Sequence, residues 1–259
     1  MTSRQAAQKL FVLALIGLLA AAPAGAGISY ASGSCKDGGN NGGSTNSLTF
    51  SFTTSSGANR ELDVCLQGDT LASGHDDITG VTYNSVSMSL VAKMTNSNQD
   101  RYSYHYELQN PSSGTHNVVV SATNNHYLLA GAAEYDGVAQ SGQPDTSATN
   151  ITANSTVDAL TTSVTTSTNN DWTVLCEGAY DAGGEPTAGT GATLRCDDGT
   201  YGTWGLFDSN GAITPAGSYS MTTDRGGSTF ITHIVAALKP YVAAGSCAPS
   251  LAATGAGCQ

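Results

Sequence analysis

Positive charge is scarce in this chain. Nine Lys and Arg stand against 20 Asp and Glu among 259 residues, a formal net charge of −11. That balance repels phosphate backbones and anionic bilayers, which argues against nucleic acid and acidic membrane surfaces as partners. Charge of either sign is sparse at 11% of residues, and the polar positions are mostly Ser, Thr, Asn and Gly. Such a composition suits exposed strands and long loops and is poor for helices. Past the N-terminal segment no run of about 20 apolar residues occurs, so nothing else in the sequence reads as a membrane span. There is no C-x-x-C pair for a zinc site, no G-x-S-x-G nucleophile elbow and no D-x-[DN]-x-[DN]-G calcium loop. The five histidines are scattered, and none can be matched to a base from sequence.

What is present begins with a targeting pattern. Arg4 and Lys9 precede the apolar run Leu10 to Ala22, and Ala24, Gly25 and Ala26 form an A-x-A cleavage site. Residues 1–26 therefore read as a signal peptide, with the mature chain secreted or held at the cell surface. Its removal leaves seven basic residues against the same 20 acids, a balance of −13. All six cysteines follow it, and an even number in an oxidising compartment reads as three disulfides. Sequence proximity favours Cys176 with Cys196 and Cys247 with Cys258, leaving Cys35 for Cys65. In RELDVCLQ the apolar face is Leu62, Val64 and Leu66, which turns Cys65 outward beside Asp63, within reach of an N-terminal arm.

The remainder alternates with period 2. In RYSYHYEL, Tyr102, Tyr104, Tyr106 and Leu108 share one face, while Ser103, His105 and Glu107 share the other, the pattern of a half-buried strand. Leu48, Phe50 and Phe52 alternate likewise, Asn84 and Ser85 mark a bend, and Trp172 and Val174 share a face. The run from Asn110 to Gly114 reverses the chain, so that His105 and His116 would approach each other across a hairpin. About a dozen strands and no helix after residue 26 imply an all-β fold of two packed antiparallel sheets. The expected organisation is an irregular N-terminal arm over 27–47, a β-sandwich domain over 48–240 and a Cys-containing tail over 241–259.

The ordered set NREL (59–62), VTYNSVSM (81–88), YELQNPSSGTHNVVVS (106–121), AGAAEYDGV (130–138) and AALKP (236–240) resembles a recurrent secreted module of bacterial and phage surface proteins. It is similar to concanavalin-A-like jelly rolls. The resemblance implies architecture and a surface setting, and carries no catalytic residue.

Several residues are candidates for chemistry. Glu134 and Asp136 form the first half of a jelly-roll glucanase pattern, E-x-D-x-x-E, but no second Glu follows. Asp76 with Asp77, and Asp197 with Asp198, are candidate calcium ligands, because carboxylates and loop carbonyls are hard oxygen donors. Tyr201 and Trp204, flanked by glycines in CDDGTYGTWG, form the candidate sugar-stacking patch; the Tyr102, Tyr104, Tyr106 stripe competes, though its continuation into Leu108 marks it as core. The leading expectation is a secreted binding or adhesion module for carbohydrate or another surface polymer, with calcium as the candidate cofactor. The alternative is a structural, self-associating subunit of an extracellular or virion surface, and a glycan-active hydrolase is a distant third.

Overall fold

The computed structural model describes residues 27–31, 36–37, 44–70, 76–96, 101–152, 156–180, 184–197 and 204–243. These contain no helix and sixteen strands: β1 (Ser29–Tyr30), β2 (Lys36–Asp37), β3 (Thr45–Thr54), β4 (Arg60–Thr70), β5 (Ile78–Tyr83), β6 (Val86–Ser87), β7 (Ser89–Asn96), β8 (Arg101–Gln109), β9 (Gly114–Asp136), β10 (Thr146–Ile151), β11 (Val157–Thr165), β12 (Trp172–Tyr180), β13 (Thr187–Ala188), β14 (Thr193–Asp197), β15 (Trp204–Asp208) and β16 (Ser218–Leu238). Among them no helix is long and apolar enough to cross a membrane. The signal segment and the cysteines at 35, 247 and 258 lie outside the described residues.

Two antiparallel sheets form the sandwich. The first has the order β6-β5-β9-β4-β8-β7, with β1, β2 and β3 also on β9; the second has the order β10-β16-β12-β15-β14, with β11 and β13 on β16. One long strand folds each sheet over on itself. Residues 114–122 of β9 pair with β3 and β5, and residues 126–136 pair with β4. In the same way residues 218–229 of β16 pair with β11 and β13, and residues 230–238 with β10 and β12. The first sheet nearly closes, because β5 bonds β6 and the chain runs on through Met88 into β7, which bonds β8.

Turn chemistry sets these junctions. Asn84 and Ser85 both take positive φ, 49° and 63°, as a two-residue hairpin loop requires. Beside the Asn59 and Asn110 turns (φ 58° and 51°), the buried Arg60 guanidinium donates to the carbonyls of Gly57 (2.6 Å), Ser55 (2.6 Å) and Pro111 (2.7 Å) and to Glu134 (3.2 Å). Glu134 also accepts from the Ser55 amide at 2.9 Å. The motif residues of NREL, QNP and AEYD thus form one clamp on two loops. Glu134 is occupied by this clamp.

The layers alternate. One apolar cluster fills the curl of the first sheet: Phe52, Leu62, Val64, Tyr83, Tyr102, Tyr104, Tyr106, Val118 and Leu128 belong to it. Tyr104 and Tyr106 stack at 6.3 Å, so the tyrosine stripe is core as its continuation into Leu108 implied. A second cluster, with Cys65, Tyr135, Trp172, Val174, Trp204 and Ile234, lies between the sheets. A third, with Leu175, Phe207, Met221 and Val235, lies on the far face of the second sheet.

This layering overturns two disulfides. Cys65 is bonded to Cys176, with Cα atoms 5.3 Å apart and 111 residues between them, rather than to Cys35, and Cys176 is consequently unavailable to Cys196. Cys65 does point away from Leu62, Val64 and Leu66, but the second sheet covers that face and brings Cys176 opposite. Sequence proximity was the wrong guide, because strand pairing and sheet packing decide which sulfurs meet. Cys196 is disulfide-bonded as well. The arm is also more regular than its composition implied: β1 and β2 pair along β9, and β3 starts at Thr45. His105 and His116 do not meet, because β8 pairs with β4 and β7 while the start of β9 pairs with β3 and β5.

Candidate functional site

The sugar patch expected at residues 201 and 204 loses its tryptophan. Trp204 is 1% exposed, because β15 runs between β12 and β14 and its alternation sends Trp204 and Leu206 into the layer between the sheets. The glycine beside it serves packing rather than access: a Cβ on Gly205 would sit 2.7 Å from a Phe207 ring carbon. Asp197 ends β14 half-buried, and residues 198 and 201 lie outside the described residues.

Asp76 and Asp77 engage different partners. The Asp76 carboxylate accepts from the Tyr104 hydroxyl and the Lys93 ammonium. Burial opposes its ionisation, but these hydrogen bonds outweigh it and hold its pKa below the ordinary value. Asp77 accepts from the Asn124 amide at 2.9 Å and side chain at 2.6 Å, and pairs with His126. No group of three or more His, Cys, Asp or Glu that could hold a metal ion occurs among the described residues.

An open groove lies where the first sheet fails to close. Pairing of β5 with β6 is confined to Thr82 and Tyr83, followed by the Met88 amide on the Val81 carbonyl at 2.9 Å. Towards Ile78 the edges of β5 and β7 separate, leaving a cleft of about 470 Å³ whose lining includes Thr79, Thr82, Ser87, Leu90, Tyr106 and Ser121. Leu90 is 46% exposed. The Tyr106 hydroxyl has no hydrogen-bond partner among the described residues. Burial first, and the Asp76 charge second, push its pKa up to about 12, so it is a protonated donor at neutral pH. The groove thus combines an apolar wall, a hydroxyl rim and the Tyr106 phenol. Most of its lining lies between Ile78 and Leu90, with Tyr106 and Ser121 added by strand pairing; sequence reasoning misses it because the alternation that puts Tyr106 in the core does not show that the edges of β5 and β7 part beside it.

A closed site lies between the sheets. Opposite the tyrosine stripe, His105 Nε2 is 2.6 Å from Asp63 Oδ1, both side chains being wholly buried. Glu61 and Glu107 flank them, in register with Gln109 and Asp63. Among the described residues, Glu61 Oε1, Asp63 Oδ2, His105 Nδ1 and Glu107 Oε2 lack hydrogen-bond partners. Burial raises all three carboxyls, and mutual repulsion adds to it for Glu61 and for Glu107, which reaches about 7; hydrogen bonding from His105 opposes the rise at Asp63. All four side chains are buried, so their ionisation bears directly on stability.

No protein-family model, curated protein or solved structure matches the chain.

Proposed function

We propose that this protein is a secreted or surface-associated binding module that takes carbohydrate along the groove between β5 and β7. One observation carries the reading: Tyr106 lines an open cleft beside exposed Leu90, and its hydroxyl has no hydrogen-bond partner among the described residues. A sugar has that dual character, an apolar C–H face for Leu90 and Met88 and hydroxyls for Tyr106, Thr82, Ser87 and Ser121. The negative balance of the chain favours neutral or basic glycans over acidic ones. Secretion is supported by the N-terminal targeting pattern and by a buried disulfide, a bond that persists in oxidising compartments. The resemblance to surface modules of bacteria and phages points the same way.

The test is a glycan array probed with wild type, Tyr106→Phe and Leu90→Asp, each checked for native circular dichroism. Wild type should bind a neutral polysaccharide, and losing the phenol hydroxyl should weaken it about tenfold, roughly the 1.4 kcal/mol of one hydrogen bond. Absence of wild-type binding across the array, or equal binding by all three proteins, overturns the proposal and leaves the structural subunit of an extracellular or virion surface as the better reading.

A further inference from the structure

Away from the groove, where the β9–β10 and β11–β12 connections meet, two carboxyl groups face each other. Asp145 lies just before β10 and Asp171 just before β12, and their side chains are within hydrogen-bonding reach of one another. Asp145 is well supplied with donors: the Ser167 amide at 2.7 Å, the Ser167 hydroxyl at 2.7 and 2.8 Å, and the Thr168 hydroxyl at 3.2 Å. Asp171 is not. It is 0% exposed, and neither of its oxygens has a partner in good hydrogen-bond geometry; the Thr168 amide only approaches it, and Lys239 acts on it through space. Its position is fixed by the backbone, since the Asp171 carbonyl accepts from the Ile213 amide at 2.8 Å. A buried carboxyl with so few donors, held against a second one, is unfavourable as an anion unless a proton or a metal cation lies between them.

We propose that Asp145 and Asp171 together hold a hard divalent cation, of which calcium is the fit. Every side-chain donor at the pair is oxygen: two carboxylates and the hydroxyls of Ser167 and Thr168. That set suits Ca²⁺, which accepts irregular geometry and completes its shell with carbonyls and water, better than softer metals that favour nitrogen or sulfur. Asp171 supplies the buried ligand, and half-exposed Asp145 the side open to solvent. A bound ion would tie the start of β10 to the start of β12, two neighbours of β16.

The experiment is thermal unfolding of the full chain at pH 7.5 and constant ionic strength, in chelator and in 10 mM CaCl₂, with equilibrium dialysis against calcium in parallel. For a site in the 0.1–1 mM range common to extracellular calcium modules, Tm should rise by about 3–8 °C. Asp171→Asn and Asp145→Asn should each abolish that rise and remove one bound ion per chain, whatever other calcium the protein takes. Should Asp171→Asn not fold, the half-exposed Asp145→Asn carries the test alone. No calcium-dependent rise in wild type, or a rise retained in the variants, overturns the proposal; the pair is then held by a shared proton. Glycan binding by the groove is measured separately, so either result leaves that reading intact.

Discussion

Replacing Glu107 by Gln should make the protein more stable at pH 8 and leave it nearly unchanged at pH 4.5. Burial, and then the charge of Asp63, raise the Glu107 carboxyl from an ordinary 4.5 to about 7. A group whose pKa is raised by folding contributes its full stability below the unfolded value and loses it as pH rises through the folded one, here between about 4.5 and 7. At 1.36 kcal/mol per tenfold change, ionising Glu107 in the native state removes about 3 kcal/mol. Gln keeps the shape and the neutral charge of the protonated acid, so the variant escapes that loss. Because Asp63 raises Glu107 and Glu107 in turn raises Glu61, the difference belongs to the coupled cluster rather than to one residue. Comparing two proteins matters because His233 titrates in the opposite sense. Burial first, and Arg225 second, push its imidazole down to about 3, so its contribution is present above its ordinary 6.5 and declines as pH falls below that. Urea unfolding of both proteins at pH 4.5, 6 and 8 cancels the His233 contribution in the difference. A gap between variant and wild type that stays constant across the three pH values would refute the burial argument.

Two further outcomes follow from the packing. Cys65→Ala should lower stability by about 4–5 kcal/mol, the chain-entropy value for a loop of some hundred residues, and non-reducing peptide mapping of wild type should recover Cys65 and Cys176 in one fragment; a Cys176–Cys196 fragment instead would contradict the sheet packing. Arg60→Ala strands the buried Glu134 carboxylate and releases two loops, so calorimetry should register about 3–5 kcal/mol of destabilisation, with Arg60→Ala/Glu134→Gln recovering part of it.

Much of the architecture was legible because it is written locally. The tyrosine stripe, the apolar face of β4 and the Asn84–Ser85 turn each depend on a few neighbouring residues, and the structure shows them as read. The candidate site was not legible in the same way. The glycines flanking Trp204 suggest an exposed ring, yet Gly205 is small to admit Phe207. Ser103, His105 and Glu107 form the polar half of an alternating strand, which resembles a solvated face until a second sheet lies over it.

Alternation and turn chemistry alone therefore determined that the chain is all-β, where strands such as β4 and β8 run, and which side chains share a face. They are one-dimensional properties, set by the period of an extended backbone and the φ that Asn and Gly permit. Tertiary structure decided what covers each face. Pairing along β9 and β16 joined segments up to a hundred residues apart, brought Cys65 to Cys176 and Asp145 to Asp171, and left the edges of β5 and β7 open beside Tyr106. Those outcomes depend on how two curled sheets stack, and no local pattern encodes the partner across a layer.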